Sequence, residues 1–184
     1  MSKKVKNSFL YLLPSMVGVL IPLITLPLFT RVLSTEEYGS LALCQVYAIL
    51  TTGIANFGLT FGYERDFFEQ KNNIKQIILL YSTLSFVIIL LLFFGLSTKF
   101  FSVEIVEYLK IKSTNPELLL LITFSSVAIS SIRQYFLIYF KNNENAKKHV
   151  LFTLDEIIIS FILSMFFVLY MKTGVVGIVL SQLI

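Results

Sequence analysis

Charge is scarce in this chain: only 14% of its 184 residues are charged, against 56% of hydrophobic types. Soluble domains run near 25% charged, so this inventory cannot cover a water-facing surface. Cysteine and histidine are nearly absent, with one of each, Cys44 and His149, and there is no tryptophan. A lone cysteine excludes an intrachain disulfide and a cysteine cluster, and one histidine at the edge of an apolar block argues against a zinc or haem site. Glycine-rich phosphate loops, a nucleophile elbow and an HExxH pattern are all missing. No cofactor is therefore expected. The net charge of +4 comes from lysines and arginines scattered over short loops. Nucleic-acid binding would need them gathered on one face or stripe, so no nucleic-acid partner is expected.

Apolar blocks of membrane-crossing length are what the chain does have. About 20 apolar residues span a bilayer as a helix, and five blocks qualify: Ser8–Phe29, Ser40–Tyr63, Gln76–Leu96, Pro116–Phe140 and Val150–Met171. A sixth, "GVVGIVLSQLI", starts at Gly174 and stops after eleven residues, a rise of only about 16 Å. The reading is an all-α polytopic membrane bundle with five complete spans and a truncated sixth, a single domain that is either a fragment or a truncated product. The basic start "MSKKVKN" resembles a signal-peptide flank, but the apolar part is too long and no small-x-small cleavage site follows. The first block is thus a retained span. Loop charge sets orientation, since cytoplasmic loops keep lysine and arginine. With the N-terminus inside, Lys3, Lys4, Lys6, Arg65, Lys71, Lys75, Lys141, Lys147 and Lys148 are cytoplasmic, against Arg31, Lys99, Lys110, Lys112 and Lys172 outside. Nine against five predicts N-inside.

Local signals mark the boundaries. Ser34 and Glu37 have capping-box spacing, and Asn115-Pro116 reads as a cap followed by proline at the first helical position. "KFFSVEIVEYLKIK" is amphipathic and is expected to lie along the interface. Three prolines, Pro14, Pro22 and Pro27, should kink or flex the first span.

Polar groups inside spans should face protein or water rather than lipid. Gln45, Thr52, Asn56 and Tyr63 are spaced 7, 4 and 7 residues apart, which puts them on one face of a continuous helix at about 100° per residue. Beside them Thr51, Ala55, Gly58 and Gly62 form a small-residue stripe ending in GxxxG, expected to pack another helix closely. In the fourth block, Thr123, Ser126, Ser130, Arg133 and Gln134 share an arc of about 100°.

An arginine at the membrane centre costs about 2.5–3.5 kcal/mol on insertion scales. Arg133 is explained by snorkelling to headgroups, by binding an anion in a wet cavity, or by a structural ion pair. Arg31 and Arg65 sit at span edges, where interfacial anchoring alone would account for them. Yet the chain has three arginines to twelve lysines, all three in or beside spans, and arginine grips phosphate bidentately. Arg133, Arg65 and Arg31 are candidate substrate contacts, with Gln45 and Asn56 as hydrogen-bonding partners. Thr153 and Glu156 also have capping-box spacing, so Asp155 and Glu156 read as acids at a helix start. Alternatively, one of them takes up a coupling proton or cation, or pairs with Arg133.

"LPLFTRVLSTEEYGSLAL" followed by "GIANFGLTFGYERDFFE" resembles the start of bacterial polysaccharide-biosynthesis membrane proteins. These are the Wzx-type oligosaccharide-lipid flippases of the multidrug/oligosaccharidyl-lipid/polysaccharide exporter superfamily. The matching pieces are Pro27-Leu28-Phe29-Thr30-Arg31, the Glu37-Tyr38-Gly39 start of the second span, Gly58 preceding Arg65, and the basic loop "KNNENAKKHV". The resemblance implies two helical lobes around a cationic cavity, with this chain supplying most of the first. It implies transfer of an undecaprenyl-pyrophosphate-linked oligosaccharide from the inner to the outer leaflet of a bacterial inner membrane, for O-antigen, capsule or another surface polysaccharide. The expected partners are that lipid-linked substrate, membrane lipids, and a glycan polymerase with its chain-length regulator. Arg133 would be the main pyrophosphate contact, Arg65 a cytoplasmic contact and Arg31 an exit-side one.

Three other functions compete. A drug or cation antiporter of the same superfamily would favour acids on the first span, and Ser8–Phe29 has none. A membrane enzyme would need paired acids, histidines or arginine-rich outer loops, which are also missing, so the chain is not expected to be an enzyme. The short length leaves an accessory protein as the third.

Overall fold

The structure, a computed structural model, describes residues 3–70 and 72–183, with side chains from residue 9 onward. Lys71 and the side chains of Lys3, Lys4 and Lys6, used above for orientation, lie outside the described residues. Eight α-helices follow one another: α1 Lys3–Phe29, α2 Thr35–Asn56, α3 Leu59–Glu69, α4 Asn73–Phe100, α5 Ser102–Leu109, α6 Pro116–Asn142, α7 Ala146–Met165 and α8 Val175–Ser181. A π-helical turn, Phe166–Tyr170, extends α7. Among the described residues there is no strand. Five helical segments among the described residues are long and apolar enough to cross a membrane: Phe9–Phe29, Thr35–Asn56, Asn73–Phe100, Pro116–Asn142 and Ala146–Tyr170. The expected five-span helical bundle is the architecture observed.

Two ends of the bundle are distinguished by their loops. At the Arg31 end, the predicted capping box forms: Ser34 N–H donates to Glu37 Oε2 at 2.9 Å and Glu37 N–H to Ser34 Oγ at 3.2 Å. Ser40 Oγ joins α2 to the loop before α6 through both the carbonyl and the N–H of Lys112, at 2.8 and 2.9 Å. Pro116 starts α6, but the Asn115 side chain does not cap it. Instead Ser102, at the head of the short helix α5, donates to Glu117 at 3.0 Å. At the Lys141 end, Lys141 and Glu64 lie 3.7 Å apart, joining α6 to α3.

The second apolar block is not one helix. Phe57 (φ 50°) and Gly58 (φ 72°) are both left-handed and end α2. Left-handed geometry costs a non-glycine residue about 1–2 kcal/mol, and a closed hydrogen-bond ring holds it here. Asn56 Nδ2 donates to Thr60 Oγ1 at 2.7 Å, Thr60 to Tyr135 Oη at 3.2 Å, and Tyr135 to Asn56 Oδ1. The ring bridges the break and ties it to α6. Two expectations fail with the continuous helix. Tyr63 is not on one continuous helix with Gln45, Thr52 and Asn56, because α2 ends at Asn56 and α3 starts afresh at Leu59. The GxxxG pair packs nothing: a Cβ on either Gly58 or Gly62 would meet no atom within 4 Å. Gly58 is there for its positive φ.

Helix α6 is the hub, packing on α2 and α4 along one side and on α7 and α8 along the other, while α1 packs on α7. Toward the Lys141 end, Ala55, Tyr63, Phe67, Leu84, Val87, Tyr135 and Ile138 form a dry, aromatic-rich core. Toward the Arg31 end, a second core joins Phe29, Leu41, Cys44, Leu119, Val168, Val175 and Val179. Close contact between α8 and the end of α7 depends on Gly177, where a Cβ would lie 2.8 Å from Phe167 Cβ and strike Thr173 Oγ1. Helix α1 runs unbroken through its three prolines.

Candidate functional site

Helix α7 starts at Ala146, with Asn145 as its cap accepting from Lys148 N–H. Glu156 is therefore not at a helix start: it lies ten residues in, about 15 Å along the axis. The capping-box reading of Thr153 and Glu156 is wrong, since Thr153 Oγ1 donates back to the His149 carbonyl at 2.8 Å. Arg133 stands nine residues before the end of α6, about 14 Å from the same boundary. Facing helices thus bring the two side chains to one depth, and Arg133 Nη2 pairs with Glu156 Oε1. Each is 26% exposed. Of the three explanations for Arg133, an ion pair is what forms. The side chain turns to Glu156 on α7. Its Nε is buried without a hydrogen-bond partner, so the guanidinium keeps donor capacity beyond Glu156.

Glu156 brings its side of the pair to one end of a groove, while Arg133 itself borders a separate space of about 270 Å³ with Phe136, Leu137, Phe140 and Phe152. Glu156, Ser160 and Ser164 recur every fourth residue on α7, Ser126 and Ser130 on α6, and all five line a cavity of about 370 Å³ with α1 and α8. Thr25, Ser181 and Gln182 add polar groups. The hydroxyls of Ser126, Ser130 and Ser160 make no hydrogen bond to any described residue, whereas Ser164 and Ser181 donate to Phe161 and Ile178 carbonyls at 2.8 and 2.7 Å. Proline contributes too. Pro22 has no N–H to offer the Gly18 carbonyl four residues earlier, and both residues line the cavity. A smaller space of about 190 Å³ continues toward the Arg31 end, sharing Thr25, Phe29 and Ile178 and adding Gln45. Open hydroxyls, a spare carbonyl and the Glu156 carboxylate, with Arg133 one ion pair away, make this groove able to hold water or a polyhydroxylated ligand in a low-dielectric setting.

The other sequence candidates are dispersed. Gln45 reaches the groove's extension. Asn56 does not, because both ends of its amide are engaged in the ring with Thr60 and Tyr135. Asp155 points away from the groove and is exposed. Arg31 is exposed at the α1–α2 turn. Arg65 lies on α3, its side chain 76% exposed and 2.9 Å from Asp66. The hydrogen bond to Asp66, then the charges of Asp66 and Glu69, raise its pKa. The neighbouring Tyr63 hydroxyl has no partner, and burial above all pushes its pKa up. Ser160, Ser164, Ser181 and Gln182 were not foreseen as part of a site. The signal for two of them was present in the four-residue spacing from Glu156, but serines in an apolar helix also satisfy themselves on backbone carbonyls.

No curated protein and no solved structure matches the chain. A family model described as polysaccharide biosynthesis protein matches residues 4–184, nearly the whole length, groove and ion pair included. The chain belongs to the polysaccharide biosynthesis protein family.

Proposed function

We propose that the chain is a membrane-embedded lobe of a Wzx-type flippase, carrying an undecaprenyl-pyrophosphate-linked oligosaccharide across the bacterial plasma membrane with its N-terminus in the cytoplasm. It acts as a carrier and not as an enzyme, feeding a glycan polymerase and its chain-length regulator. The observation that carries this reading is the Arg133–Glu156 pair at membrane depth beside a groove of unbonded serine hydroxyls. A pyrophosphate crossing a bilayer needs positive charge in a poorly hydrated passage, and one charge pair at about 4 Å is worth about 4 kcal/mol at an effective dielectric of 20. Arg133 is the pyrophosphate contact, with Gln45 and the serines available to sugar hydroxyls. Arg65 serves as the cytoplasmic contact and Arg31 as the exit-side contact. Glu156 holds Arg133 until the substrate competes for it, and a proton on the released carboxylate supplies the coupling.

The test is glycan export in cells expressing the full-length protein. Arg133→Ala abolishes export with normal membrane insertion, and Glu156→Gln uncouples it. The double variant Arg133→Met/Glu156→Met removes both charges, so it keeps the fold and still fails to export. Wild-type export by the double variant would reduce the pair to scaffolding. A second reading rests on Glu156 as the acid lining the groove: antiport of a cationic amphiphile. In that case Arg133→Ala preserves transport, Glu156→Gln abolishes it, and the exported species is a drug-like cation.

A further inference from the structure

Helices α4 and α6 leave a second groove on the opposite flank of the bundle. It measures about 450 Å³ and runs between Ile88–Lys99 on α4 and Leu121–Ile132 on α6. From end to end each twelve-residue stretch rises about 16 Å, half of the roughly 30 Å hydrocarbon core, so its length is that of one leaflet. Leu91 and Phe124 form a buried floor, while Leu92 and Leu96 stand 61% and 59% exposed as its rim. Gly95 keeps the floor open, since a Cβ there would meet the Phe124 ring at 3.1 Å. The wall is chemically dry. Ser125, its one hydroxyl, is closed on the Leu121 carbonyl at 2.8 Å. The single charge among the lining residues is Lys99, at the boundary end and in the last turn of α4, with no carboxylate within ion-pair distance among the described residues.

We propose that this groove seats one acyl chain of an anionic phospholipid whose phosphate rests on Lys99. Length selects a single-leaflet chain, dryness excludes a polar ligand, and the lysine selects a negative headgroup. The site is independent of the transport reading.

The chain has no tryptophan, so in the full-length protein, with any tryptophan outside this chain replaced by phenylalanine, a single Leu96→Trp substitution reports on the groove. In nanodiscs of neutral phosphatidylcholine, phosphatidylglycerol with brominated chains, added as a minor component, should quench the introduced indole about fivefold more than brominated phosphatidylcholine at the same fraction. That is the factor one lysine contributes at an anionic surface. Adding Lys99→Gln should erase the preference, and Leu20→Trp, on the exposed face of α1, should never show it. Equal quenching by both lipids would overturn the proposal, leaving an ordinary bilayer contact. Quenching by neither would overturn it too, since another helix would then cover the groove. A preference surviving Lys99→Gln would place the headgroup elsewhere and reject the lysine's role.

Discussion

On one side of α6, Tyr135 and Ile138 interlock with Ala55, Tyr63, Leu84 and Val87, and Tyr135 spends its hydroxyl inside a ring shared with Asn56 and Thr60. On the other side, Ser126 and Ser130 leave their hydroxyls open, and Arg133 keeps an unsatisfied Nε beside Glu156. The same helix thus supports a closed, dry wall and an open, polar one. Lipid offers polar groups nothing, so a bundle built for stability alone would close both. The closed wall packs the bundle, and under the proposed reading the open one is where substrate acts.

If that division is right, substitutions in the dry wall should lower stability and those in the groove should lower export. The largest effect belongs to Tyr135→Ala, which removes a ring buried to 1% exposure and should cost about 3–5 kcal/mol. Tyr135→Phe, which only opens the hydrogen-bond ring, should cost about 1–2 kcal/mol. Thermal unfolding in detergent measures both, and equal losses would mean that the ring of hydrogen bonds carries most of the effect. Gly177→Ala forces α8 away from Phe167 and Thr173, an overpacking of about 1–3 kcal/mol, read by the same assay. Its effect would blur the comparison, because α8 lines the groove while its base is tightly packed. The smallest stability effect is expected of Ser126→Ala/Ser130→Ala/Ser160→Ala, within about 0.5 kcal/mol of wild type. Its export rate should nonetheless fall severalfold. A triple variant that unfolds would show that the hydroxyls hold the bundle together.

Much of this division could be read from residue spacing. Five spans follow from apolar length, and the Ser126–Ser130–Arg133 face from about 100° per residue. The break at Phe57–Gly58 could not be read that way, because "ANFGLTFGY" stays apolar on both sides and hydropathy does not register two left-handed residues. Gly58 looked like a packing residue because sequence does not reveal φ. Glu156 was misplaced at a helix start because α7 begins within the basic loop, at Ala146, four residues ahead of the apolar block. Whether Arg133 meets lipid, water or an acid depends on which helix lies opposite, and that is a property of packing. Asn56 and Gln45 looked equivalent as polar residues on one helix, and only their neighbours separate them.

Water in the groove is the central physical claim, and thiol accessibility tests it directly. With Cys44 and any cysteine outside this chain replaced by alanine, Ser130→Cys, Ser160→Cys and Ile89→Cys variants of the full-length protein would be exposed in native membranes to a small, charged thiol reagent. Positions 130 and 160 should react at rates approaching those of an exposed loop cysteine, while position 89, on the lipid-facing side of α4 at 63% exposure, should stay unmodified. Inert thiols at both 130 and 160 would mean that the groove is dry, and a charged headgroup could not pass Arg133 through it.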